Sequence, residues 1–135
     1  MQNVKRKFTM LKFRASSIAN IMQKGKGEPF GQTAKTYLTE CFIKEKYGRE
    51  KQITSKYFEK GHEKEEEAIT LLSQFDKAFY FKNEEHFKNE YITGTPDIIT
   101  NIEVIDIKCP FDIFTFFNHK KDPFPIVYEY QLLSY

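Results

Sequence analysis

The amino-acid sequence predicts an α/β domain in which helices pack on a small mixed sheet, and two observations carry that expectation. Up to Phe75 the apolar residues recur at helical spacing. After Asp76 the texture changes to short aromatic and β-branched runs separated by turn residues, and two further helical stretches close the chain. At 135 residues, with no internal repeat and no Pro/Gly/Ser-rich linker, the chain suits one domain spanning 1–135.

The elements follow in order. Residues 1–14 read as a basic arm, because Lys5, Arg6, Lys7, Lys12 and Arg14 stand there with no acidic residue among them. Ser16 is placed to N-cap a short helix whose Ile18, Ile21 and Met22 share one face. Gly25 and Gly27 end it, and Pro29 and Gly31 make a loop. A second helix is expected over 33–47, with Tyr37, Leu38, Cys41, Phe42 and Ile43 near helical spacing and Gly48 as its stop. A third is expected over 55–75, burying Tyr57, Phe58, Gly61, Ala68, Leu71 and Leu72. The runs 79–81 and 87–92 read as two strands joined by a turn at Asn83-Glu84. Ile98, Ile99 and Thr100 begin another pair that turns at Asn101 and returns through 103–108. The β-branched density of this return marks a central strand, ended by Pro110. Residues 111–118 form a helix and 127–135 begin the last one.

Composition excludes several classes. A mean hydropathy of -0.60 and the lack of any 18-residue apolar run exclude a membrane-spanning helix. The opening residues MQNVKRKFTMLKFR lack the apolar stretch of a secretory signal, so a cytoplasmic protein is expected. Two cysteines, Cys41 and Cys109, are too few for an all-cysteine zinc site or an iron–sulfur cluster, and the three histidines are scattered. Any metal is therefore expected to be a hard cation on oxygen ligands. The net charge of +2 does not by itself argue for nucleic acid.

The chemistry concentrates between Gly94 and Lys108. Side chains alternate along a strand, so Asp106 and Lys108 point one way while Ile105 and Ile107 point the other. A carboxylate and an ammonium in an apolar strand are costly to bury unless they pair or meet a metal. Asp97 opens the preceding strand, and the turn at Asn101 brings it back towards Asp106. With Glu65 approaching from the third helix, these residues make an oxygen cage suited to Mg²⁺, and Lys108 stands beside it. Such a cage suits phosphodiester hydrolysis, since the cation reverses the repulsion between carboxylates and phosphate. Duller readings stand alongside. Glu65 lies in the acidic run 63–67, which also reads as a solvated helix face. Asp97 in Gly-Thr-Pro-Asp also reads as a turn residue. Asp106 and Lys108 also read as an ion pair. The wealth of aromatics, 14 Phe and 8 Tyr, reads mainly as core.

At these residues the chain resembles the PD-(D/E)XK nuclease superfamily, with Pro96-Asp97 and Asp106-Ile107-Lys108 as the two halves of its motif. Within it, the chain is most similar to the phage lambda exonuclease and YqaJ-like viral recombinase family. Ala15-Ser16 matches the start of that family's N-terminal helix, and the segment from Gly61 through Glu65 to Ala68 matches its G-x-x-x-E-x-x-A helix. Tyr128-Glu129-Tyr130-Gln131 with Tyr135 matches its late Gln/Tyr helix.

The resemblance implies a restriction-endonuclease-like core and a Mg²⁺-dependent (or Mn²⁺-dependent) deoxyribonuclease. The expected activity is 5′-to-3′ exonuclease action on double-stranded DNA in phage-type recombination. It implies Glu65, Asp97, Asp106 and the Ile107 carbonyl as metal ligands, Lys108 as the residue that positions or activates water, and Gln131 facing the same site. Ser16 would bind a terminal 5′-phosphate, with Lys7, Lys12 or Arg14 in place of the family's arginine. The partners it implies are a single-strand annealing protein and two further copies in a trimer, in a bacterial or phage-infected cell.

The sequence departs from the family at three places. Asp106 stands where the family has Glu, and Thr9 where it has an arginine. The residues stop at Tyr135, where the family continues with further strands and a helix, so a C-terminally truncated core is expected. The alternatives are a nuclease-fold DNA-binding or assembly module that does not cut, and an endonuclease of the same superfamily.

Overall fold

The computed structural model describes residues 10–51, 56–122 and 124–135, and of residues 56–62 the backbone only. Lys5, Arg6, Lys7, Thr9 and Ser55, and the side chains of Tyr57 and Phe58, lie outside the described residues. The end of the expected basic arm is a strand, β1 (Phe13–Arg14), followed by a 3-10 turn (Ala15–Ser17) and the short helix α1 (Ile18–Met22). Ser16 sits within the turn and caps nothing. Ser17 takes the N-cap position, and its side chain makes no capping bond.

Helix α2 (Gln32–Tyr47) ends as expected. Gly48 adopts φ 63°, a conformation that suits glycine, and its N–H donates to the Lys44 carbonyl at 3.0 Å. Ala34 is its buried anchor and the Tyr37 ring contacts Phe13 of β1, while Phe42 and Ile43 stay exposed.

Helix α3 (Lys56–Asp76) matches its expected span, but its buried stripe is shifted. Ile69 is buried and Leu71 is 64% exposed, so the inner face runs through Glu65, Ala68, Ile69 and Leu72. Those intervals of three and four put Glu65 on the packed side, while Glu63, Glu66 and Glu67 face water.

The sheet differs from expectation. Residues 79–81 form no strand: Phe79 and Phe81 are almost wholly exposed, and the Tyr80 N–H donates to the Ser73 hydroxyl instead of a ladder. The hairpin lies further on, between β2 (Phe87–Lys88) and β3 (Ile92–Gly94), with the Asn89 side chain accepting the N–H groups of Tyr91 and Ile92 in the turn. The middle strand β3 pairs parallel with β1 and antiparallel with β2.

A second, two-stranded sheet joins β4 (Ile98–Ile99) to β5 (Val104–Ile105) in antiparallel register, Ile98 opposite Ile105. The return strand is thus not central among the described residues, and the ladder stops at Ile105. Two residues on, the Ile107 N–H donates to the Asp97 carboxylate at 2.5 Å and so is not available to a neighbouring strand.

Asp112 caps α4 (Ile113–Lys121) by accepting the Thr115 N–H, and α5 (Ile126–Leu132) packs against the 3-10 turn and α1. The buried core is small: Ala15, Ala19, Ala34, Ile69 and Ile98. No helix among the described residues is long and apolar enough to cross a membrane.

Candidate active site

Asp97 leaves β3 through the buried Pro96 and is fixed from two directions. The Asn83 N–H donates to the Asp97 carbonyl at 2.7 Å, and the Asn83 amide donates to the Pro96 carbonyl at 2.9 Å. Its own carboxylate takes the Ile107 N–H, which pins the tail of one strand to the head of the other. Burial raises the Asp97 pKa above the ordinary aspartate range, and the negative charges of Asp106 and Glu65 raise it further; the Ile107 bond and Lys108 oppose the rise.

Asp106 and Lys108, in the segment just past β5, form an ion pair. Helix α5 supplies the partner that completes the network. Gln131, only 6% exposed, donates from Nε2 to Asp106 Oδ1 at 2.7 Å and accepts from Lys108 Nζ at 3.0 Å. The same amide donates to the Tyr135 hydroxyl at 2.7 Å, which in turn donates to Asp106 Oδ1 at 3.1 Å. Burial beside Asp106 pushes the Tyr135 phenol up to about 12, so it remains a donor. Lys108 Nζ also lies 5.2 Å from the centre of the Tyr128 ring, a cation–π contact. Gly94 makes this closure possible: a Cβ there would stand 2.6 Å from the Tyr135 ring and 3.0 Å from Ala15.

Glu65 reaches the same neighbourhood from α3. It pairs with Lys82 at 3.1 Å, and both Glu65 and Asp97 raise the Cys109 thiol, whose main cause of elevation is burial. The Lys82 ammonium is raised chiefly by its bond to Glu65, with Glu66 and Asp97 adding to it.

The structure therefore joins Asp106, Lys108, Gln131 and Tyr135 in one network and sets Asp97, tied to the intervening Ile107 amide, and Glu65 within electrostatic range of it. It does not form the tight three-carboxylate cage that the sequence suggests. Among the described residues no group of three or more His, Cys, Asp or Glu side chains stands close enough to hold an ion. The physical reason is that lysines neutralise two of the acids, Lys108 at Asp106 and Lys82 at Glu65. The donor chemistry nevertheless fits a hard divalent cation. The donors are all oxygen, and Asp97 carries a raised pKa that a neighbouring cation would reverse.

Ser16 is exposed on the turn against which α5 packs, at the same end of the molecule as Gln131. Arg14 lines a different cleft of about 340 Å³ with Lys12, Tyr37 and Glu50. Sequence reasoning missed Lys82, which lies in an aperiodic segment and has no local signal. It also left Tyr135 out of the site; Tyr135 lies just past the end of α5, and its hydroxyl comes back to the Gln131 amide.

No family model matches this chain, and no curated protein is similar to it by sequence search. Solved structures are. A phage-related exonuclease from Haemophilus somnus 129PT is similar at 31% identity and a TM-score of 0.69, covering 90% of this chain and 60% of that one. The alkaline exonuclease of Laribacter hongkongensis is similar at 20% identity and a TM-score of 0.70, covering 91% of this chain and 61% of that one. Its complex with dAMP is similar at 21% identity and a TM-score of 0.71, covering 93% and 63%. The chain spans about three fifths of the length of each.

Proposed function

We propose that this chain, which belongs with the phage-type exonucleases of the PD-(D/E)XK nuclease superfamily, is a Mg²⁺-dependent deoxyribonuclease that degrades double-stranded DNA from a 5′ end. The observation that carries the reading is the Lys108 ammonium, held between Asp106 and the buried Gln131 beside Asp97. Asp97, Asp106, Glu65 and the Ile107 carbonyl are the groups that would hold the metal. When bound, a divalent cation supplies neutralisation of the carboxylates and polarisation of the phosphoryl oxygen.

The protein's own residues do the rest. Lys108 donates to the attacking water and to the charge that builds on the phosphate. Gln131 and Asp106 remove its rotational freedom, so less ordering is needed at the moment of reaction. Asp97 ties the catalytic tail to the first strand through the Ile107 amide. Ser16 is the candidate contact for a terminal 5′-phosphate. The same reading takes a single-strand annealing protein as partner, a trimer as assembly and the cytoplasm as location.

End-labelled duplex incubated with Mg²⁺ or Mn²⁺ should lose nucleotides stepwise, while a covalently closed circle is spared. EDTA should stop the reaction, and Lys108→Ala should slow it about a thousandfold. Full activity in Lys108→Ala or in EDTA overturns the mechanism, and cutting of the closed circle makes the enzyme an endonuclease. The lysines already paired with Asp106 and Glu65 favour a second reading, a nuclease-fold module that binds DNA without cutting. Salt-dependent DNA binding with no metal-dependent cleavage would select it.

A further inference from the structure

A cleft of about 530 Å³ opens beside the Lys108 ammonium between α4 and α5, within the size range of small-ligand sites. Its walls include the paired Asp106 and Lys108, with Phe116, His119, Lys120, Phe124 and Tyr128 around them. One side of α5 packs on the 3-10 turn and α1, and Tyr128 of the same helix lines the cleft. The His119 and Tyr128 rings meet edge to face, 5.9 Å apart at 84°, with the Tyr128 hydroxyl 3.4 Å from His119 Nε2. Phe116 and Phe124 are 49% and 58% exposed. Large rings left half in water, rimmed by Lys120 and by the Asp106–Lys108 pair, suit a ligand that is flat and apolar on its face and carries an anionic group at its lysine end.

A nucleotide has that chemistry. We infer that this cleft is a nucleobase subsite, which stacks the base of the nucleotide whose phosphate lies at Lys108. Base–aromatic stacking tolerates every base, because each offers a π face, so the subsite grips a DNA end without reading its sequence. Lys120, at the basic end of α4, faces the sugar–phosphate of the same nucleotide. The inference rests on the nuclease reading above and adds to it the part of the substrate that is recognised beyond the phosphate.

Titration of the protein with thymidine 5′-monophosphate and, separately, with 2-deoxyribose 5-phosphate isolates the base. The base-bearing probe should bind about tenfold more tightly. Phe116→Ala should abolish that advantage and leave binding of the sugar phosphate unchanged. Phe116→Leu keeps the apolar bulk and removes the ring face, and it should lose the advantage as well. Equal binding of the two probes by the wild type, or a full advantage retained in Phe116→Leu, overturns the subsite. Cleavage of duplex ends carrying a normal or an abasic terminal residue separates the two readings. A wild type that cuts both at equal kcat/KM and binds both probes equally loses the subsite and keeps the nuclease. One that cuts neither but prefers the base-bearing probe loses the nuclease and keeps the subsite.

Discussion

Asp106 and Glu65 both stand near enough to Asp97 to raise its pKa, yet the two carboxylates are held in different ways. The side chain of Asp106 is 8% exposed and sits in a closed network with Lys108, Gln131 of α5 and Tyr135 just beyond that helix. Glu65 hangs from a long helix and meets Lys82, a lysine whose side chain is 38% exposed and which comes from a segment with no secondary structure. A buried, fully satisfied network is costly to disturb, whereas the Glu65 pair, with its carboxylate 14% exposed and its lysine open to water, is held by a solvent-reachable cation that exchanges more readily. One side of the site is therefore built by the protein alone. The other is poised to change partner when a cation or a phosphate arrives.

The most damaging way to break that comparison is to remove the charge both sides share. Asp97→Asn should cut cleavage by about a thousandfold, a loss on the scale of removing one preorganised electrostatic group. It should also stabilise the fold. A carboxyl whose pKa is raised on folding binds its proton more tightly in the native state. The ionised form therefore costs stability at neutral pH, and the cost fades as pH falls through the raised pKa towards the unfolded value. Asparagine keeps an acceptor for the Ile107 amide and carries no charge. Thermal melts should show a Tm a few degrees above wild type at pH 7, with the gap closing towards pH 4. A Tm that drops equally at both pH values would show that Asp97 is a structural clamp and not a site of stored repulsion.

Gln131→Leu tests the built side alone. It takes one hydrogen-bond partner each from Asp106 Oδ1 and Lys108 Nζ, leaving Asp106 with Tyr135 and Lys108 with Asp106. Denaturant titration should give a loss of about 1–3 kcal/mol. The nuclease rate should fall about 10–100-fold, the usual scale for groups that orient a catalytic residue. Stability lost without a change in rate would mean that the network holds the fold together and does not position Lys108.

How much of this could be read in advance follows from the same contrast. The proximity of Asp97, Asp106 and Lys108 was legible because a short turn between two β-branched runs leaves few ways to arrange them, and the structure pairs Asp106 with Lys108 although the strand itself stops at Ile105. Gln131 was legible through the family resemblance, and its buried amide now has a physical role. Lys82 was not legible, because an ion pair between an aperiodic segment and a helix leaves no local trace. The aromatic run 79–81 misled for a related reason. Its β propensity suits a pleated, half-buried surface, but there the described chain finds no partner strand and leaves Phe79 and Phe81 in water. On α3, Ile69 and Leu71 offered two overlapping stripes, and only packing chose between them.

A smaller effect sharpens the loosely held side. Lys82→Met removes the cation that now neutralises Glu65, so a divalent ion would no longer compete with it. The Mg²⁺ concentration for half-maximal cleavage should drop roughly threefold, the scale of a surface ion pair worth under about 1 kcal/mol, with Tm nearly unchanged. A rise in the Mg²⁺ requirement would instead make Lys82 the group that aims Glu65 at the site.

The smallest effect is expected at the turn beneath α5. Ser16 is exposed and caps no helix, so its hydroxyl is not needed to start α1, and Ser16→Ala should leave the unfolding free energy within about 0.5 kcal/mol of wild type. If the hydroxyl contacts a terminal 5′-phosphate, the variant should lose about threefold in kcat/KM on 5′-phosphorylated duplex and nothing on a 5′-hydroxyl end, the scale of one neutral hydrogen bond. Arg14 lines the separate cleft with Lys12, Tyr37 and Glu50, so Arg14→Ala should reduce rates on both ends alike, as loss of a general DNA contact does. Phosphate selectivity that vanishes in Arg14→Ala but survives in Ser16→Ala would move the end-binding function out of the turn and onto β1. It would also mean that the exposed strand edge, and not the helix network, selects the substrate's end.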